Sequence, residues 1–243
     1  MDVRELKTDI IDKCRIWGAD LVGVADLAPL ENFIAENYLA NWQGYQQAIS
    51  IAVFFPRPVV LELKQDPTHT YLTYYDALNR RIDDICLRLA NYLSAVGYLA
   101  FPVPASQRVG PRKLASIFSH RLAARQAGLG WVGRHGSIIN PEQGACLRLG
   151  TVLTNTDLPS GQPLAQSCPP NCQICQKACP AKAITGVAFT PENEAITKRI
   201  RAADCAAYLH KTRQTFGKEI CGICLAVCPY SQGKHGIDPI GDA

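Results

Sequence analysis

Eleven cysteines punctuate this 243-residue chain, and eight of them fall in a pattern suited to electron chemistry. Cys168 to Pro180 reads C-P-P-N-C-Q-I-C-Q-K-A-C-P, and Cys221 to Pro229 reads C-G-I-C-L-A-V-C-P. Both close on C-x2-C-x3-C-P. In such a run three cysteines grip one iron–sulfur cluster, and the fourth, just before proline, reaches across to another. The proline stops the backbone from continuing as helix because it has no N–H to donate. The crossed pattern gives Cys168, Cys172, Cys175 and Cys228 to a first 4Fe–4S cluster, and Cys179, Cys221 and Cys224 to a second. Cys205, in A-A-D-C-A-A-Y-L, is the other cysteine of this half and fills the vacancy, making two sites of four thiolates.

One irregularity stands in the first run. Cys168 and Cys172 are spaced C-x3-C, where C-x2-C is usual, and the extra residue sits in a Pro-Pro-Asn turn. It either bulges outward or leaves the first cluster labile or incomplete. Structural zinc also uses paired C-x2-C knuckles, but needs neither the third cysteine with its proline nor the crossed arrangement. Disulfides would suit a secreted chain. Cys14, Cys86 and Cys146 remain as spare thiols, and Cys14 reads as a core residue on a helical stripe.

The rest of the composition bounds the setting. Hydrophobic content of 47% and charged content of 19% describe an ordinary globular protein, long enough for one large domain or two unequal ones. No apolar run reaches the ~18 residues that span a bilayer. The charged opening M-D-V-R-E-L-K-T-D reads as helix rather than signal peptide, and no twin-arginine signal is seen, so a cytoplasmic protein is expected. The formal charge of +4 treats cysteines as neutral. Two clusters at about −2 each, thiolates included, would bring the total close to zero, so net charge gives no case for nucleic acid.

The elements that must position the cysteines follow from periodicity. Val3, Leu6, Ile10, Cys14 and Trp17 share one face of a helix that Gly18 ends. Strands are expected at 21–27, 48–55, 98–104 and 147–155, a long helix at 69–96 stopped by Gly97, a loop at 107–111, and a further helix at 113–127. Tyr71, Tyr74 and Tyr75 cluster near the start of the long helix, as core or interface residues. The Pro-, Ser- and Gly-containing segment 158–166 marks a boundary between domains at 1–160 and 161–243.

Charge is uneven within the first domain. Between Asp84 and Glu142 no carboxylate occurs, while Arg88, Arg108, Arg112, Lys113, Arg121, Arg125 and Arg134 do, with His120 and His135 beside them. Such a stretch suits an anionic partner; the alternative is a solvated face balanced by acids such as Asp76, Asp83 and Asp84. The turn A-G-L-G-W-V-G at 127–133 offers Gly128, Gly130 and Gly133 around Trp131, either for close approach of a flat ligand or as a helix cap and bulged turn. No G-x-G-x-x-G follows a strand, which argues against a Rossmann dinucleotide site.

Taken together, these stretches resemble the epoxyqueuosine reductase family and its shorter double-cluster relatives. The residues that carry the resemblance are 127–133, L-G-T-V-L-T at 149–154, A-C-P-A-K-A-I at 178–184, D-C-A-A-Y-L at 204–209 and the run at 221–229; the opening helix and L-V-G-V-A are also similar. The resemblance implies an α+β chain. A nitroreductase-like N-terminal domain would hold cobalamin, with FMN the alternative, and a ferredoxin-like domain with two 4Fe–4S clusters would follow. Reductive dehalogenases share that arrangement. It further implies an external electron donor of ferredoxin or flavodoxin type, and a small-molecule or corrinoid ligand met by Arg121, Arg125, Gly128, Gly130, Trp131, Gly133 and Arg134. No D-x-H-x-x-G run is present, so a cobalamin here would have no lower histidine ligand.

Two departures separate the chain from the tRNA-modifying members. They carry an aspartate in a D-S-x-P pattern some fourteen residues before G-L-G-W; here the region reads K-L-A-S-I-F-S-H-R-L. The sequence also stops soon after the second cysteine run. Both weigh against a tRNA substrate and leave two classes open: a reductase with its own substrate, or an electron-transfer or corrinoid-handling protein. For the reductase, His120 is the candidate proton donor, since an unperturbed imidazole titrates near neutrality.

Overall fold

A computed structural model of the chain describes residues 2–38, 44–106, 116–190 and 198–233. The expected loop at 107–111, together with Arg108, Arg112 and Lys113, lies outside them. In chain order the elements are α1 (Val3–Ile16), β1 (Leu21–Asp26), α2 (Glu31–Asn37), β2 (Gln47–Phe54), α3 (Arg57–Leu61), α4 (His69–Ala95) and β3 (Ala100–Val103). Next come α5 (His120–Gln126), β4 (Trp131–Val132), β5 (Ile138–Ile139), β6 (Leu147–Thr154), α6 (Ile174–Ala178), α7 (Ala202–Phe216) and α8 (Ile223–Ala226). The described residues contain no helix long and apolar enough to cross a membrane.

Two compact units emerge, interleaved along the chain. The first gathers 1–54, 77–130 and 148–164; the second gathers 55–76, 131–147 and 165–243.

The first unit is built on a sheet of order β1-β2-β6-β3. β1 runs antiparallel to β2, with Leu21 opposite Ala52, and β3 runs antiparallel to β6, with Val103 opposite Thr151. β2 is buried along nearly all its length, as its continuous apolar run requires. At its start Gln47 is a buried hub: its Nε2 donates to the Leu158 carbonyl at 2.8 Å, and its Oε1 accepts from Thr156 Oγ1 and Leu158 N–H. α1 opens with a capping box between Asp2 and Glu5 and buries Leu6, Ile10 and Cys14. Gly18 follows it at φ +103°, a backbone that a side chain would strain. The long helix crosses β6 at Gly150, where a Cβ would stand 2.5 Å from Ile82 Cγ2 and 2.8 Å from Cys86 Sγ. The glycine of L-G-T-V-L-T is thus needed for helix-on-sheet packing. Burial pushes the thiols of Cys14 and Cys86 up to about 12, as inert core groups.

One expected element is shorter in the structure. The helix expected at 113–127 begins at His120, with Ser119 as its cap accepting from the Leu122 N–H at 3.2 Å. The hydroxyl satisfies an orphan N–H, which lets the helix start there.

The second unit has little regular structure. Short helices α3, α6 and α8, the longer α7, the β4–β5 hairpin and an Ile184–Ile200 bridge are linked by loops. Such a segment needs something other than a large apolar core to fix it. The seven cysteines of the two runs, and Cys205, lie here.

Candidate functional site

Each cysteine run folds as a single helical turn between loops. α6 carries Cys175, α8 carries Cys224, and α7 brings in Cys205 from the intervening segment. Pro180 and Pro229 follow Cys179 and Cys228, where the turns end.

The thiols sort by their neighbours. Burial pushes the Cys175 thiol up to about 12, helped by Cys168, Cys228 and Cys172 beside it. The Cys228 thiol is pushed up to about 11 by burial, while the N–H groups of Tyr230 and Ser231 act the other way and Cys168 and Cys172 add to the rise. Cys224 is held well above the usual thiol range by burial, then by Cys221, Cys175, Cys179 and Cys205. Burial also raises Cys221, against the N–H groups of Ile223 and Gly222. The Ala183 N–H donates to Cys179 Sγ at 3.3 Å, from a turn in which Lys182 takes a left-handed φ of +50°. Cys168, Cys172 and Cys228 therefore lie beside Cys175, and Cys179, Cys205 and Cys221 beside Cys224, while Cys175 and Cys224 are themselves neighbours. Between the sets Cys175, Cys179 and Cys224 share an apolar patch with Ile184, Ile200 and Val227.

The second set lines a cavity of about 230 Å³. A water occupies about 30 Å³, so the space suits a group of several atoms. Among the described residues no three His, Cys, Asp or Glu side chains close on one point as a single metal ion would require. A cube of iron and sulfide makes a different demand, since it stands between its thiolates and keeps them apart. Backbone N–H groups aimed at Cys179, Cys221 and Cys228 fit the negative charge that such a cluster spreads over its sulfurs.

The glycine–tryptophan turn divides between the two units: Arg121, Arg125, Gly128 and Gly130 belong to the first, Trp131, Gly133 and Arg134 to the second. Gly128, at φ +76°, lies so close to the Gln162 carbonyl that a Cβ would come within 2.7 Å of its oxygen. Gly130 is buried, and Arg125 Nη1 donates to Gln126 Oε1 at 3.0 Å. Trp131 stacks edge-on against Tyr230, ring centroids 5.0 Å apart. At Gly133 a Cβ would meet Ile139 at 2.7 Å and the His135 ring at 2.8 Å. Arg134 is a clamp: its guanidinium donates to the carbonyls of Gly186 and Pro170, the latter at 2.7 Å, and more weakly to that of Pro169 at 3.4 Å. Those prolines are the irregular C-x3-C turn, closed by a Cys172 N–H to Pro169 carbonyl bond of 3.1 Å. Protein contacts thus account for Gly128, Gly133 and Arg134.

His120 sits in the first unit. Its Nε2 donates to the Pro104 carbonyl at 3.0 Å, which leaves Nδ1 as acceptor for the Thr151 hydroxyl at 2.8 Å. The residue keeps some exposure, yet its ring is enclosed. Burial lowers its pKa to about 4, partly offset by the Pro104 bond. A neutral ring with both nitrogens engaged fastens α5 to β6 and β3. Of the tyrosines, Tyr71 is buried and stacks on Phe55 at 4.7 Å, while Tyr74 is exposed.

Sequence reasoning missed the clamp of Arg134, and also Tyr208 and Tyr230. Burial raises both phenols, with Cys221 adding at Tyr208 and Cys168 at Tyr230. The signal was present in spacing: Tyr208 lies one helical turn after Cys205, and Tyr230 directly follows Cys228-Pro229.

Comparison with known proteins gives first a class. The mixed α/β fold matches a reductive dehalogenase structure described as suggesting a mechanism for B12-dependent dehalogenation, with a TM-score of 0.70 and 18% identity over 94% of this chain and 32% of that one. It also matches an epoxyqueuosine reductase bound to an epoxyqueuosine-modified tRNA-Tyr stem loop, with a TM-score of 0.63 and 20% identity over 96% of this chain and 67% of that one. In sequence the chain is 24% identical over 274 residues to the epoxyqueuosine reductase of Staphylococcus aureus, covering 96% of this chain and 66% of the relative. The resemblance is therefore to the epoxyqueuosine reductase-like proteins, with reductive dehalogenases sharing the fold. The chain spans just under two thirds of that S. aureus relative. No protein-family model matches it.

Proposed function

We propose that this protein is an iron–sulfur reductase that carries electrons through two 4Fe–4S clusters. The first would be held by Cys168, Cys172, Cys175 and Cys228, the second by Cys179, Cys205, Cys221 and Cys224. The observation that supports the reading is the neighbourhood of the thiols: Cys168, Cys172 and Cys228 lie beside Cys175, and Cys179, Cys205 and Cys221 beside Cys224, with Cys175 next to Cys224 as well. Clusters supply one-electron transfer at potentials set by their surroundings. The chain's own part is to hold the thiolates, aim backbone N–H groups at their sulfurs, and keep the sets in contact through the patch around Ile184 and Ile200. An external donor of ferredoxin or flavodoxin type would deliver the electrons. On this reading the chain divides into a nitroreductase-like part over 1–160 and a ferredoxin-like part over 161–243.

Cobalamin is the further cofactor this reading calls for, with FMN the alternative, supported by the resemblance rather than by the glycine turn. A second reading, an electron-transfer or corrinoid-reducing protein without its own organic substrate, is favoured by the enclosure of His120. The absence of carboxylates from 85–141 favours it too. tRNA remains a candidate substrate for the first reading only.

Anaerobic reconstitution tests the core of this. About eight irons and eight sulfides per chain are expected, and Cys205→Ser should lose the second cluster while keeping the first. Stoichiometric zinc without iron would end the reading. Titration with cobalamin and with FMN, followed by reduction of an added substrate, separates reductase from carrier.

A further inference from the structure

The hairpin at 131–139 carries two buried N–H donors that the contacts above do not use. Trp131 is 4% exposed, and its indole Nε1 has no hydrogen-bond partner among the described residues. The sulfur of Cys168 is its near neighbour: burial raises that thiol's pKa, and the indole acts toward it as a side-chain donor that lowers it. His135 is 7% exposed. Its Nδ1 accepts the Ser137 N–H at 3.1 Å, which fixes the hydrogen on Nε2. That Nε2 also has no partner among the described residues. His135 is one of the residues lining the cavity shared by Cys179, Cys205, Cys221 and Cys224, and its Cε1–Nε2 edge lies over Gly133.

Leaving a donor buried and unsatisfied costs about 1–3 kcal/mol, so two in one short hairpin need a reason. Both rings are held in place by packing: Trp131 by the edge of Tyr230, and His135 by the space that Gly133 leaves for it. A sulfur that carries cluster charge is a far better acceptor than the neutral thiol. A cluster held by these thiolates would supply both an acceptor and the charge that strengthens it. Zinc held by the same thiolates would meet the donors too, but would have no potential for them to adjust.

We propose that this hairpin is a hydrogen-bond donor strip for both clusters: Trp131 Nε1–H donates to the Cys168 sulfur of the first, and His135 Nε2–H to a sulfur of the second. Each donor stabilises the extra negative charge of the reduced cluster and so raises the potential of that cluster alone. No proton leaves either nitrogen. The reducing electron comes from the external donor. The proposal rests on the two-cluster reading.

The test is potentiometry of the anaerobic, reconstituted full-length protein, followed by electron paramagnetic resonance, with iron and sulfide assayed in every sample. Trp131→Phe keeps the ring and removes the donor. His135→Asn keeps an acceptor for the Ser137 N–H, as an Asx turn does, and withdraws the ring N–H from the cavity. Each variant should lower one potential and leave the other in place, by about tenfold in the reduction equilibrium, or ~59 mV for one electron. Unchanged potentials with eight irons present would overturn the donor strip and leave the clusters standing. Wild-type protein that takes up no iron would overturn both. A variant that fails to fold is replaced by pulsed resonance on reduced wild-type protein labelled with 15N in tryptophan or histidine. Coupling of each label to its own cluster supports the proposal, and no coupling to either refutes it.

Discussion

Arg134 offers the sharpest test of how the irregular first loop is held. Replacing it with methionine keeps much of the buried stem and removes every donor from the carbonyls of Gly186, Pro170 and Pro169. Hydrogen bonds from a charged donor contribute about 1.5–3 kcal/mol each. Two of the three bonds are well formed and the side chain is partly solvated, so the low end applies and the clamp is worth roughly 3 kcal/mol. At 1.36 kcal/mol per factor of ten, loop opening should become about a hundredfold more frequent. Iron captured by a chelator from a briefly opened loop reports that population directly. The wild-type protein should release its irons in two phases. Arg134→Met should accelerate one phase, about four irons per chain, by about a hundredfold and leave the other unchanged. Arg134→Lys should fall between them, because one ammonium cannot span carbonyls that a planar fork reaches together. Equal acceleration of both phases, or of neither, would refute the assignment of Arg134 to the first loop.

Two further outcomes follow from the first unit. His120 has a pKa lowered from 6.5 to about 4, so the folded state resists a proton that the unfolded state takes up. The stability involved, about 3 kcal/mol, is present above pH 6.5 and lost as pH falls toward 4. 15N NMR of the ring should show the neutral Nε2–H tautomer persisting below pH 6, and titration near 6.5 would show the ring to be open. Gly150→Ala places a methyl against Ile82 and Cys86 and should destabilise the protein by about 1–3 kcal/mol, read as a lower urea midpoint. A variant as stable as wild type would mean that α4 does not press on β6.

What the sequence determined by itself is what short-range covalent geometry controls. The cysteine spacings, the prolines that close each run, the capping box at Asp2 and Glu5, and the apolar run of β2 are all local, and local periodicity reads them. The proposed partition of eight thiols also rests on spacing, which is local within each run. Tertiary structure decided where side chains face. The turn at 127–133 reads equally as a platform for a flat ring and as a packing device, since glycine only permits close approach and does not choose the neighbour. The fold chose it: the Gln162 carbonyl at Gly128, the His135 ring at Gly133, Tyr230 and the Cys168 sulfur at Trp131, and the Pro-Pro turn at Arg134. His120 shows the same limit. Its sequence context offers a titratable ring near neutrality, and enclosure between the Pro104 carbonyl and the Thr151 hydroxyl removes that property. Burial and hydrogen-bond partners come from residues far away in the chain, and no window of sequence contains them.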